Sequence, residues 1–141
     1  MDTRCKTVLF VDDEIVLRSL VKGLYGEPYN RCYAKSGEQA LEILRQQEVH
    51  VLVTDMRMPG MNGAELLRTV TREYPNIVKL VLTGYTDAKD IMKAVHQERI
   101  FRIIPKPWNM QEGEDFKEIV RCAVEQSNLQ SQKASTSAEL K

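Results

Sequence analysis

The chain has 141 residues, 43% of them apolar, which is enough for one domain with a substantial core and too little for two of ordinary size. Twenty basic and twenty acidic residues give a formal net charge of zero, excluding a global field that would draw the protein to nucleic acid or to an anionic membrane. Cys5, Cys32 and Cys122 form no CxxC, no apolar signal segment opens the chain, and its apolar runs fall well short of the ~20 residues of a membrane span, so a soluble cytoplasmic protein is expected.

The first apolar run, Thr7 to Val11, reads as a strand, and Ile15, Leu17, Leu20, Val21 and Leu24 follow at helical spacing. The pattern recurs as a strand over Arg31 to Ala34 and a helix over Gly37 to Gln47, with Ser36 able to cap and Ala40, Leu41 and Leu44 facing inward. A third unit has a buried strand over Val49 to Thr54, a loop with Pro59, Gly60 and Gly63, and a helix from about Ala64 to Glu73 that stops before Pro75. The fourth is a strand over Val78 to Leu82 and a helix beginning near Asp87. The fifth is a strand over Ile100 to Ile104 and a final helix with Phe116, Ile119, Val120, Ala123 and Val124 on one face. From Ser127 onward the chain is polar and without period, as in a frayed helix end or a linker. Five strands alternating with five helices, with strands apolar on both faces, predict an α/β fold: one doubly wound, five-stranded parallel sheet flanked by helices.

Open parallel sheets bind ligands at the carboxyl ends of their strands, near the point where the strand order reverses. The first predicted strand runs into Asp12, Asp13 and Glu14, the third into Asp55, the fourth into Thr83 and the fifth into Lys106. Carboxylates that converge raise one another's pKa unless a cation sits among them, and Mg2+ suits oxygen ligands that also meet a phosphate. Lys106 adds a point positive charge and Thr83 a hydroxyl donor, which suit a phosphoryl group carried on Asp55. An aspartyl phosphate is established chemistry, and its ready hydrolysis fits a transient signal.

Asp12-Asp13 after the first strand, Asp55 within DMRMPGMNG, Thr83 within LTGY and Lys106 within KPW together resemble the receiver domain of two-component response regulators, a flavodoxin-like fold. The resemblance covers residues 4–128 and leaves 129–141 as a polar tail or linker. It implies that Asp55 is the phosphoacceptor, loaded from a sensor histidine kinase or phosphotransfer protein, and that the chain catalyses only its own phosphotransfer and dephosphorylation. Asp13 would bind Mg2+ directly and Asp12 largely through water, beside Asp55 and the backbone carbonyl of Arg57. Thr83 would move toward the phosphoryl group, Lys106 would pair with Asp55 or its phosphate, and Lys106–Pro107 would be cis. The kinase would dock on the first helix, where Val16, Leu17 and Leu20 are candidate contacts. Phosphorylation would alter the face formed by the fourth helix, fifth strand and fifth helix, toward an output domain, an output protein or a phosphorylation-dependent dimer. KPW and LTGYTD resemble receivers joined to outputs such as HD-GYP phosphodiesterases, cyclic-dinucleotide synthases or transcriptional activators.

One departure stands out. Ile103 occupies the position where the family usually carries an aromatic switch residue, with Phe101 and Tyr85 as the candidate substitutes. Arg57 and Tyr85 are bulky at positions that influence the approach of attacking water, so a moderately long-lived phosphate is expected. Singly, each motif has a plainer reading: Asp12 and Asp13 as helix caps, Asp55 as a turn residue, Thr83 as a strand-end hydroxyl and Lys106 as a surface lysine. Trp108 reads equally as a partner anchor or a buried ring. His50 and His96 lack the neighbours of a zinc site, and the cysteines read as small buried apolar groups. Two other functions remain open: a phosphate-independent interaction module, and an aspartyl-phosphate phosphatase, although the latter places DxD on its first strand and this chain has Asp-Asp there.

Overall fold

The structure, a computed structural model, describes residues 6–12, 29–56, 60–83, 100–105 and 117–130, of which 83, 104 and 105 are described by backbone alone. Every residue of β1 (Thr7–Val11) is buried, and Val8, Leu9, Phe10 and Val11 have no accessible surface. A strand without a solvent face must be covered on both sides, and each such side chain contributes roughly 1.5–3 kcal/mol relative to exposure. The remaining strands are β2 (Asn30–Ala34), β3 (Val51–Asp55), β4 (Val78–Thr83) and β5 (Arg102–Pro105). All pair in parallel as one five-stranded sheet of order β2-β1-β3-β4-β5, so the chain winds outward to β2 and then reverses across β1 to β3.

Three helices lie among the described residues: α1 (Gly37–Gln46), α2 (Gly63–Glu73) and α3, helical over 117–130. Each buries one stripe at i, i+3 or i+4, i+7: Gly37, Ala40 and Leu44 in α1, Gly63, Leu66, Leu67 and Val70 in α2, and Val120, Ala123, Val124 and Ser127 in α3. Period-two alternation along the strands sorts these stripes onto two faces. Val8, Phe10, Val51, Val53, Leu80 and Leu82 pack with Val120, Ala123 and Val124 of α3. Leu9, Val11, Leu52 and Val81 pack with Ala40 and Leu44 of α1 and Leu66, Leu67 and Val70 of α2. This is the doubly wound sheet that the sequence predicts.

Element ends moved by a few residues. Asp55 is the last residue of β3, whose predicted end was Thr54, and β5 begins at Arg102, where Ile100 was expected. Gly63, placed in a loop by the sequence, is the first residue of α2, because the Asn62 side chain caps that helix by accepting from Glu65 N–H at 2.9 Å. The predicted cap of α1 holds, with Ser36 Oγ accepting from Gln39 N–H at 3.1 Å. The polar stretch from Ser127 is helical through residue 130, since Ser127 continues the buried stripe of α3 at 4% exposure. The predicted helices at Ile15–Leu24 and from Asp87 lie outside the described residues.

Candidate functional site

Strand register builds the site before any side chain is considered. Val11 pairs with Thr54, so Asp12 and Asp55, one residue further along each strand, reach the same rim at the point where the strand order reverses. Asp12 N–H still donates to Ala34 O of β2 at 3.1 Å, and Asp55 still pairs with Leu82 of β4. Both acids follow the same alternation, Asp12 after Val8 and Phe10 and Asp55 after Val51 and Val53, and so belong to one face of the sheet. Asp12 is 7% exposed and Asp55 4%. Thr83 ends β4 in register with Pro105 at the end of β5, which brings its backbone to the same rim.

Two buried carboxylates on adjacent strand ends offer oxygen ligands to a cation. Their oxygens are of the kind that Mg2+ takes, and an ion that retains several waters needs few protein ligands. The donor pair therefore fits the predicted metal. No group of three or more His, Cys, Asp or Glu side chains suited to a metal is found among the described residues. Asp13, Arg57 and Lys106, together with the predicted cis bond from Lys106 to Pro107, lie outside them, as do Tyr85, His96 and Trp108.

The backbone after Asp55 is held tightly against α2. Met56 N–H donates to Leu82 O at 3.3 Å, continuing the ladder, and Met56 O accepts from Gly63 N–H at 3.0 Å. A Cβ at Gly63 would overlap the Asp55 carbonyl oxygen and stand 2.7 Å from Met56 Cα. Only glycine lets α2 start this close to the acidic rim. Gly60 adopts φ 75°, the left-handed region that glycine enters without steric cost. Glu38 of α1 reaches this loop from across the rim, Oε1 accepting from Met61 N–H at 3.0 Å. Sequence reading missed Glu38 and the role of Gly63. Asn-Gly directly before an apolar helical run marks the capped start of α2, whereas nothing in the sequence announces a contact between α1 and this loop.

Ile103 pairs with Val81 and packs, partly buried, against the cluster of α1 and α2. Phe101, one of the two candidate substitutes for an aromatic switch, precedes β5 at the opposite end of the strand, with its N–H on Lys79 O at 2.8 Å, and packs against the other cluster. It is not placed to couple with Thr83. His50 belongs to the amino-terminal edge of the sheet, where Nδ1 accepts from Thr7 N–H at 3.0 Å and Nε2 lies 3.2 Å from Glu48 Oε1. Its Thr7 contact makes it a structural residue, and its pKa is lowered by desolvation first and by Lys6 second. Cys32 is a partly buried thiol whose pKa burial pushes up. Cavities of about 670 and 730 Å³ also lie at this edge, lined by His50 and Tyr74 and by Lys79 and Phe101, away from Asp55. No helix among the described residues is long and apolar enough to cross a membrane.

Comparison with known proteins matches this geometry. The family model of the response regulator receiver domain covers residues 8–117. The hydrogenase transcriptional regulatory protein HoxA of Cupriavidus necator is 36% identical over 130 residues, which are 92% of this chain and 26% of that protein. The DNA-binding transcriptional regulator NtrC of Klebsiella pneumoniae is 31% identical over 104 residues, 73% of this chain and 22% of NtrC. Among solved structures, the signal receiver domain of an HD domain-containing protein from Pseudomonas fluorescens Pf-5 has a TM-score of 0.82 at 29% identity, covering 92% of this chain and 93% of that one. An adenylate cyclase structure from Rhodopirellula baltica has a TM-score of 0.84 at 32% identity, covering 93% of this chain and 96% of that one. The chain spans about a quarter of the length of the curated regulators it matches.

Proposed function

The chain belongs to the response regulator receiver domain family, and from that membership we propose that Asp55 is its phosphoacceptor, loaded from the phosphohistidine of a sensor histidine kinase or phosphotransfer protein. The observation that carries the reading is the register of β1 and β3, which sets two buried carboxylates side by side at the reversal of strand order. A carboxylate oxygen of Asp55 attacks phosphorus, an O–P bond forms as the P–N bond of phosphohistidine breaks, and the imidazole leaves. Asp12, Asp13, Asp55 and the Arg57 carbonyl would hold Mg2+, which supplies charge neutralisation on the entering phosphoryl oxygens. Lys106 supplies a second positive charge, and the Thr83 hydroxyl donates to a phosphoryl oxygen. Burial of Asp55 keeps water from the acyl phosphate, and the bulk of Arg57 and Tyr85 extends its lifetime.

Phosphorylation shifts the receiver between existing conformations and changes the face built from the fourth predicted helix, β5 and α3. With Ile103 at the usual aromatic position, this shift works without a rotating ring there. The receiver domain extends over residues 4–128, and its signal passes to an output domain, a partner protein or a second copy. It works in the cytoplasm and turns over no substrate beyond its own phosphate.

Acetyl phosphate and Mg2+ test the reading directly. Intact mass is expected to rise by one labile phosphate in the wild type and to stay unchanged in Asp55→Asn. Equal labelling of both proteins, or of neither while Mg2+ binds, removes Asp55 from this role.

A further inference from the structure

The first turn of α1 and the loop into α2 meet beside the acidic rim, through a group to which the proposed reaction gives no part. Glu38, the second residue of α1, accepts from Met61 N–H at 3.0 Å across 23 residues of chain. Its own backbone N–H, that of Met61 and the Ser36 hydroxyl all favour the ionised carboxylate and hold it below the usual carboxylate range. The opening N–H groups of a helix have no partner within the helix, and the positive end of its dipole lies there, so the first turn of α1 favours this carboxylate.

A second contact reinforces the first. A Cβ at Gly37 would stand 2.9 Å from Met61 Cγ and Sδ, so the Met61 side chain lies over the first residue of α1. The left-handed turn at Gly60 immediately precedes the Met61 N–H that Glu38 receives. At its other end the same loop is closed by Gly63 N–H on Met56 O and by the seat of Gly63 against the Asp55 carbonyl. Met61 is thus tied to α1 by Glu38, and Gly63, two residues on, is tied to β3 beside Asp55.

Resting on the reading of Asp55 as phosphoacceptor, we infer that Glu38 is a positioning residue: by tying Met61 to α1, it fixes the start of α2 against the Asp55 carbonyl and so sets the affinity of the acidic site for a divalent cation. Glu38 touches neither phosphate nor metal in this role. It acts as outer-shell partners of metal ligands do, by fixing the Met61–Gly63 stretch that packs against the Asp55 carbonyl.

The test is Mg2+ calorimetry on the full chain, together with acetyl phosphate loading followed by intact mass at several Mg2+ concentrations, for wild type, Glu38→Ala and Glu38→Gln. Glu38→Ala is expected to weaken Mg2+ about 10-fold, to load slowly at low Mg2+ and to reach the wild-type rate once Mg2+ saturates. Glu38→Gln keeps an Oε1 acceptor for Met61 N–H and is expected to stay close to wild type in both measurements. A purely structural role would lower the melting temperature of Glu38→Ala while leaving Mg2+ affinity and the Mg2+ dependence of loading unchanged. That result overturns the inference and leaves the phosphoacceptor reading standing. A wild type that neither binds Mg2+ nor gains phosphate overturns both.

Discussion

At Gly63 there is room for a hydrogen atom and nothing larger, because backbone atoms of Asp55 and Met56 occupy the space a Cβ would take. Backbone cannot turn aside as a flexible side chain can, so Gly63→Ala is expected to lose about 1–3 kcal/mol in urea unfolding. It should also slow phosphate loading, since relief of the clash moves α2 away from the rim. Stability within experimental error of wild type would show that the rim yields and that the close approach is not required. Among the acids, Asp12 and Asp55 were legible from sequence because each directly follows a short apolar run that reads as a buried strand. The purpose of Gly63 was not legible, since a glycine after Asn reads equally as a turn.

Among the elements, the amino-terminal ends of β1 and β3 are joined through one imidazole. His50 N–H donates to Thr7 O at 2.9 Å, while His50 Nδ1 accepts from Thr7 N–H at 3.0 Å. Protonation would turn that acceptor into a donor facing another donor, close to Lys6 and only partly offset by Glu48. Desolvation first and Lys6 second depress the folded-state pKa of His50, and its contribution to stability is present above the unfolded-state pKa and lost as pH falls through the folded value. Thermal stability is expected to decline between about pH 7 and about pH 5 more steeply in wild type than in His50→Asn, which offers an acceptor that does not titrate. Parallel pH profiles for the two proteins would dismiss this linkage. In the sequence His50 is a lone histidine, and its bond between strand ends came into view only with the register. Helix stripes, by contrast, were visible in the chain, because Ala40 and Leu44, or Val120, Ala123 and Val124, repeat at the helical period whatever they pack against.

For the molecule as a whole, the sheet separates two apolar layers, and Phe10 of the interior strand β1 lies in the layer shared with α3. Its ring centroid is 6.2 Å from that of Tyr33 on the edge strand. Phe10→Ala is expected to cost ~3–5 kcal/mol in denaturant unfolding, because a fully buried ring between an interior strand and a helix leaves a cavity that neighbouring strands cannot close. A loss below about 1 kcal/mol would mean that the layer collapses onto the gap. Sequence by itself determined the α/β alternation, the strand ends that carry Asp12, Asp55 and Thr83, and the family those motifs resemble. Local periodicity and the residue that ends an apolar run are properties of the chain alone. Only the tertiary structure decided that Phe101 stands at the wrong end of β5 to replace an aromatic switch at Ile103, that α3 continues past Ser127, and that Glu38 grips the loop after Asp55. Each of these depends on which parts of the chain the parallel register brings together, and pairs such as Glu38 and Met61, 23 residues apart, leave no local trace in the sequence.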